Sequence, residues 1–164
     1  MDLILSSGFL AFARHVGVIQ AVEEKGIPID GVCGTSSGAM VGALWAAGHS
    51  VDFIRKEANL PRPFVRIRPC LAPWSGLFTM GPVLARLRDI LPPRIEDLPR
   101  PFGVGLSTMD RKTFLMTSGP LPEAVVASCS IPFLFQPVRI GESHYMDGGF
   151  VDRLMAEPWR AKRG

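Results

Sequence analysis

The chain of 164 residues is 47% hydrophobic and 20% charged, and it carries a net charge of +3 at pH 7. This length fits one globular domain, and so small a net charge gives no reason to expect a nucleic-acid partner. Its three cysteines form no C-x-x-C pair, so neither a disulfide framework nor a zinc site is indicated.

The first quarter of the chain alternates between predicted strands and helices. The apolar run Leu3–Leu5 predicts a short strand, and residues 14–25 place apolar side chains at helical spacing. A second strand is predicted at 27–33, followed by a small, apolar helix at 37–47. Strand, helix, strand and helix in this order favour a parallel sheet with crossover helices.

Residues 50–78 differ in composition from the rest of the chain. They combine five basic residues with four prolines and interleave the bases with aromatic residues. We interpret this segment as an irregular excursion outside the core. It is either a solvated loop or a lid that contacts anionic head groups.

The second half of the chain again shows regular patterns. These predict a helix at 81–91, strands at 102–110 and 112–119, a helix at 120–130 and a hairpin at 137–149 that turns at Gly141-Glu142.

Residues 34–38 form a G-x-S-x-G motif with Ser36 at its centre. This spacing marks a nucleophilic serine on a sharp turn between a strand and a helix, and both elements are predicted here. Side chains at Gly34 or Gly38 would collide in the turn or with the neighbouring strand. The N-terminus of the following helix favours a developing anion. Ser36 is therefore the candidate nucleophile.

The histidines are poor candidates for the general base. Serine hydrolases with this turn usually have an acid and then a histidine after the nucleophile. His15 precedes Ser36, and His49 directly follows the predicted helix. Only His144 has acidic residues between Ser36 and itself, and those acids lie in predicted surface helices or turns.

Asp147 is the stronger candidate for the base. It is followed by Gly148 and Gly149, which allow the backbone to approach closely. A carboxylate that contacts a serine hydroxyl can serve as a general base in a favourable environment. The simplest interpretation is a dyad of Ser36 and Asp147. The spacing of His, Asp and Glu residues indicates no metal site, and no other cofactor is expected.

Three ordered blocks of the sequence resemble the patatin-like phospholipase family. They are residues 15–48 around the serine, residues 127–138 (ASCSIPFLFQPV) and residues 145–152 with the D-G-G box. The resemblance extends over nearly the whole chain. It implies a three-layer α/β/α sandwich with a mostly parallel central sheet, and hydrolysis of lipid acyl esters with Ser36 as nucleophile and Asp147 as base.

The segment that matches the family's oxyanion loop departs from the family pattern. The family has a run of glycines followed by Arg or Lys, whereas residues 6–14 contain Gly8 alone and have Ala11 at the basic position. Arg14 is a candidate substitute. Since an oxyanion hole uses backbone N–H groups, we expect it to consist of the amides of Gly8 and Phe9, with that of Ser37 as a third.

The sequence therefore predicts a single domain over 1–164 that cleaves fatty-acyl esters of phospholipids or related lipids through an acyl-enzyme. The family continues beyond the D-G-G box, so a minimal domain and a truncated chain are both open. An acyltransferase or thioesterase, or a degenerate lipid-binding domain, are alternatives. Without a recognisable signal peptide or membrane span, we expect a cytoplasmic protein in peripheral contact with membranes.

Overall fold

The computed structural model describes residues 1–58, 68–69 and 76–164. Its strands and helices are β1 (Asp2–Leu5), α1 (Phe12–Glu24), β2 (Gly31–Thr35), α2 (Ser37–Ala46), α3 (Val51–Ala58), β3 (Arg68–Pro69), β4 (Phe78–Thr79), α4 (Gly81–Ile90), β5 (Phe102–Thr108), β6 (Thr113–Met116), α5 (Leu121–Ser128), β7 (Val138–Ile140), β8 (Ser143–Asp147) and α6 (Ala156–Arg163).

The main sheet has a parallel and an antiparallel part. Strands β1, β2 and β5 are parallel neighbours, whereas β6 and β8 both run antiparallel to β5, and β7 pairs with β8. The predicted three-layer α/β/α architecture is confirmed, with a sheet that is parallel only over its first three strands. Strands β3 and β4 form a separate antiparallel pair.

Two strands meet end to end along one edge of β5. Strand β2 pairs with residues 102–105 of β5 and β8 pairs with residues 106–108, while β6 pairs with residues 104–107. Because β6 overlaps both of the others, it must occupy the opposite edge. The last residues of β2 and β8 therefore lie against consecutive residues of β5.

The two faces of the sheet are covered unequally. One face packs on α1 to α5 in a large apolar core that includes Val32, Val104 and Leu106. The other face packs on α6, where Trp159 and Met155 surround Cys33. Helix α6 is also anchored at the start of β1, because the Trp159 indole and the Arg163 guanidinium both donate to Asp2 at 2.9 Å.

Helix α3 corrects the interpretation of residues 50–78. This segment was expected to be irregular throughout, yet Val51–Ala58 is helical and its Ile54 is fully buried in the core. The excursion's remaining residues at 59–67 and 70–75 lie outside the described part of the chain, so the lid interpretation is not tested there. None of the described helices combines the length and apolar character needed to cross a bilayer.

Candidate active site

Ser36 occupies a sharp turn between β2 and α2. Its backbone has φ 56° and ψ −122°, a left-handed conformation that a residue with a Cβ adopts only under constraint. A Cβ at Gly34 would collide with the backbone of Gly38, and a Cβ at Gly38 would collide with the carbonyl of Leu5. The two glycines thus let α2 leave the sheet steeply enough to expose the serine at the strand end.

Asp147 reaches Ser36 because of the strand register. Thr35 pairs with Gly105, and Asp147 pairs with Leu106, the next residue of β5. The residue after Thr35 is Ser36, so the end-to-end meeting of β2 and β8 brings the two side chains together. The Asp147 carboxylate accepts a hydrogen bond of 2.7 Å from the Gly149 amide, and the Ser36 side chain lies close enough to this carboxylate to lower its pKa.

The environment of Asp147 makes its carboxylate a stronger base than an exposed aspartate. Only 4% of the residue is exposed, and this burial raises the pKa of Asp147. The contacts with Ser36 and Gly149 lower the pKa by a smaller amount, so the net direction is upward. A carboxylate with a raised pKa that touches a serine hydroxyl is arranged to accept its proton.

Gly148 and Gly149 allow the chain to turn tightly after Asp147. A Cβ at Gly148 would lie 2.7 Å from the backbone of Gly105, and a Cβ at Gly149 would collide with the side chain of Ser7. The second contact brings the D-G-G turn against the loop that precedes α1, so three separate segments meet around the serine.

The loop before α1 is held against the nucleophile turn. The Ser37 hydroxyl donates to the Gly8 carbonyl at 2.7 Å, and the Ala11 amide donates to the same carbonyl at 3.1 Å. Within the described residues, the amides of Gly8, Phe9 and Ser37 have no hydrogen-bond acceptor. These three N–H groups are available to a bound oxyanion.

Gly8 does not have a left-handed backbone. Leu10 adopts φ 56° instead, and the φ of Gly8 lies outside the positive range. Space is what restricts position 8, because a Cβ there would lie 2.8 Å from the Cβ of Ala11. Arg14 lines a cavity of about 520 Å³ next to this loop, together with Gly8 and Phe9.

None of the three histidines has a hydrogen bond to Ser36 or Asp147 among the described residues. His15 is buried, which lowers the pKa of its imidazole, and one ring nitrogen donates to the Ser6 carbonyl. His49 bonds to the Ile90 carbonyl at 2.7 Å. His144 is exposed on β8, three residues before Asp147, so its side chain points to the opposite face of the sheet.

Replacing the histidines tests their exclusion from the chemistry. We expect His15→Gln, His49→Gln and His144→Gln each to change turnover of a soluble ester by less than about tenfold, below what a general base usually supplies. Melting temperatures measured in parallel correct for loss of folded protein at the buried His15. A loss at any one histidine that matched that of Asp147→Asn would identify a histidine as the base.

Two residues that contact the nucleophile carried no functional signal in the sequence. The hydroxyl of Ser128 accepts a hydrogen bond from the Ser36 amide at 2.8 Å, and the Cys129 thiol donates to the Ser36 carbonyl at 3.2 Å. Both hydrogen bonds form because the end of α5 packs against the turn between β2 and α2. Their position in the ASCSIP block indicated a family resemblance but no role.

The described residues contain no cluster of three or more His, Cys, Asp or Glu side chains that could hold a metal ion. The arrangement at Ser36 brings together a candidate nucleophile, a candidate base and N–H groups without acceptors among the described residues. It is chemically equipped for acyl transfer by a serine.

Comparison with known proteins decides the family. The model of the patatin-like phospholipase family matches residues 3–158. The chain belongs to the patatin-like phospholipase family. Ser36 and Asp147 both lie within the matched residues, and the sheet register brings them together.

The chain is similar to proteins that carry the name NTE. An uncharacterized NTE family protein of Mycobacterium tuberculosis is 35% identical over 159 residues, which cover 95% of this chain and 44% of the relative. The lysophospholipase NTE1 of Pyricularia oryzae is 33% identical over 161 residues, 94% of this chain and 11% of that protein. The chain thus spans less than half the length of these relatives.

A solved structure supports the fold. The crystal structure of VipD from Legionella pneumophila superposes with a TM-score of 0.64 and covers 93% of this chain and 46% of VipD. The sequence identity is 17%, so this likeness concerns the fold alone.

Proposed function

We propose that the chain is a serine acyl hydrolase that cleaves fatty-acyl esters of phospholipids or related lipids. The observation that carries the proposal is the close approach of the strained Ser36 to the buried carboxylate of Asp147, which β2 and β8 bring together on β5. Backbone strain of this kind persists where the surrounding structure imposes it, and it concentrates at functional sites. Membership of the patatin-like family supports the same reaction class.

The reaction proceeds in two acyl transfers. Ser36 Oγ attacks the ester carbonyl carbon while Asp147 takes the hydroxyl proton, and a tetrahedral oxyanion forms. When this intermediate collapses, the alcohol leaves with the proton from Asp147 and the acyl group remains on Ser36. Water then attacks the acyl-enzyme with Asp147 again as the base, and the fatty acid is released.

The oxyanion is held by the free amides of Gly8, Phe9 and Ser37. Amides that are fixed before the reaction stabilise a developing charge without reorganisation. The loop amides are fixed by the bonds to the Gly8 carbonyl, and the Ser37 amide lies at the positive end of the α2 dipole. The departure from the family's glycine run thus leaves the backbone donors in place.

Lipid esters are the proposed substrate class. The relative from Pyricularia oryzae carries the name lysophospholipase, and that from Drosophila melanogaster, which is 27% identical over 166 residues, is named neuropathy target esterase. Apolar side chains are also exposed on loops that contact the dyad. Phe9 is 69% exposed and lies in the loop before α1, which is bonded to Ser37. Phe150 is 64% exposed and directly follows Gly149.

Release of fatty acid from a lysophospholipid tests this function. Purified protein incubated with lysophosphatidylcholine in mixed micelles should release free fatty acid, and Ser36→Ala protein should release none above the blank. A parallel incubation with an added alcohol acceptor measures acyl transfer. Acyl product formed with no free fatty acid would replace the hydrolase with an acyltransferase, and neither product from any lipid ester would refute the enzyme.

Membrane contact is part of the proposal, and exposed apolar residues near the site support it. Phe133, in the loop that follows Cys129, is 81% exposed and holds a left-handed φ of 68°. Basic residues of the 53–78 segment would add attraction to anionic lipid. Of the bases described there, Arg55 pairs with Asp52 on the exposed surface of α3.

Vesicle binding should depend both on lipid charge and on Phe133. We expect co-sedimentation with vesicles that contain anionic lipid, weakened by salt. Phe133→Asn should lower the partition coefficient about thirtyfold, since burial of one Phe contributes on the order of 2 kcal/mol, and Asn tolerates the left-handed backbone. Val18→Ser, on the exposed face of α1, is the control. Equal, salt-independent binding to neutral vesicles would contradict the charge dependence.

A further inference from the structure

We infer that Ser128 is a positioning residue that holds the nucleophile turn in its reactive conformation. The inference rests on the proposed function of Ser36. Two consecutive hydrogen bonds support it. The Ser36 amide donates to Ser128 Oγ at 2.8 Å, and Ser128 Oγ donates to the Gly105 carbonyl at 2.6 Å.

The direction of these two hydrogen bonds is fixed by the chemistry of their groups. An amide is a donor and a carbonyl is an acceptor, so the single proton of the Ser128 hydroxyl points to Gly105 and a lone pair points to Ser36. Ser128 is completely buried. Its hydroxyl is therefore held in one orientation and serves as a fixed acceptor for the nucleophile's own N–H.

A second contact holds the other side of the same residue. The Cys129 thiol donates to the Ser36 carbonyl at 3.2 Å, and burial raises the pKa of this thiol, so that it keeps its proton. Two consecutive residues at the end of α5 thus bind the amide and the carbonyl of Ser36. A left-handed backbone at a non-glycine residue needs such constraints to persist.

Gly105 links the Ser128 hydrogen-bond chain to the dyad geometry. It pairs with Thr35, which precedes Ser36, and the next residue of β5 pairs with Asp147. Ser128 therefore fixes Ser36 relative to the point of β5 at which Asp147 is placed. Loss of its hydroxyl would let the turn relax and lengthen the contact between the Ser36 hydroxyl and the carboxylate.

The hydrogen bond from the Ser36 amide to Ser128 also removes this amide from the possible donors of the oxyanion hole. Because the Ser36 amide is occupied by Ser128, this amide does not face the substrate oxygen. Ser128 itself is too deeply buried to touch a substrate. Its loss should consequently change the rate of the chemical step and leave substrate binding nearly unaffected.

The test compares Ser128→Ala with Ser130→Ala. Ser130 is equally buried and lies two residues further on, but its hydroxyl donates to the Val126 carbonyl at 2.8 Å and makes no bond to Ser36. We expect Ser128→Ala to lower kcat on p-nitrophenyl butyrate at least tenfold with KM changed by less than threefold. Ser130→Ala should keep kcat within threefold of the wild type, at a similar loss of melting temperature.

Reaction with a fluorophosphonate probe separates failure of this inference from failure of the proposed function. Wild-type protein that does not react would refute the serine hydrolase, and the role of Ser128 with it. Wild-type protein that reacts, beside folded Ser128→Ala protein that reacts no more slowly than Ser130→Ala, would overturn the role of Ser128 alone.

A second variant covers the case in which Ser128→Ala does not fold. Ser128→Cys nearly preserves the side-chain volume but supplies a weak acceptor in place of a good one. We expect folded Ser128→Cys protein to react with the probe at least threefold more slowly than wild type. Reaction at the wild-type rate would overturn the inference.

Discussion

Ser36→Ala should abolish hydrolysis of both soluble and lipid esters while the protein stays folded. Removal of a serine nucleophile typically costs on the order of 10⁴-fold or more in rate. Alanine lacks the hydroxyl but meets the same backbone constraint at φ 56°, so the fold should be kept. The measurement is turnover of p-nitrophenyl butyrate and of lysophosphatidylcholine, beside circular dichroism and melting temperature.

Ser143→Ala is the matched control for this prediction. Ser143 is exposed at the start of β8, in the strand that carries Asp147, and its loss should leave turnover within twofold of the wild type. Folded Ser36→Ala protein that retained more than a tenth of the activity would show that another group is the nucleophile.

Asp147→Asn should lower turnover about 10³-fold, within the range that general-base catalysis contributes. The asparagine keeps the shape of the side chain but cannot accept the Ser36 proton. The same change should leave the melting temperature at pH 7 unchanged or raised, because it removes a buried negative charge. A loss of activity without loss of stability identifies a functional carboxylate.

The expected pH dependence follows from the sign of the pKa shift. Burial raises the pKa of Asp147 in the folded protein, so the acid limb of kcat/KM should lie above the usual aspartate value of about 3.9. The folded state also binds this proton more tightly than the unfolded state does. Its contribution to stability is therefore present at low pH and is lost as the pH rises through the folded pKa.

An exposed aspartate provides the comparison for Asp147. Asp97 lies on the surface in a short helical turn, and Asp97→Asn should change neither turnover nor the acid limb. Asp147→Asn protein with at least a tenth of wild-type turnover, or with an unchanged acid limb, would exclude Asp147 as the base.

The sequence indicated Ser36 and Asp147 as candidates for a dyad, but it did not show why these two residues lie together in the fold. Ser36 and Asp147 lie in short motifs with glycines, and such motifs can be recognised locally. Their contact depends on β2 and β8 meeting along β5, which is a property of the assembled sheet. Ser128 went unrecognised for the same reason, since its bond to Ser36 joins residues 92 positions apart.

One local expectation failed for an identifiable physical reason. Helix α3 was missed because prolines and basic residues lie close to it in the sequence. Its packing depends on Ile54, the one fully buried residue of the helix. Gly8 is not the residue of the loop before α1 that has a left-handed backbone, although glycine tolerates that conformation best. The loop instead places Leu10 there, and the glycine is needed for space beside Ala11.

The most direct test of the central claim is to locate a covalent adduct on the serine. Protein treated with a fluorophosphonate and digested with trypsin should carry one adduct, on Ser36 in the peptide of residues 26–55, as read by tandem mass spectrometry. Asp147→Asn should acquire this adduct far more slowly, and Ser36→Ala should acquire none. An adduct on any other residue, or no adduct on protein that hydrolyses esters, would contradict the assignment of Ser36 as the nucleophile.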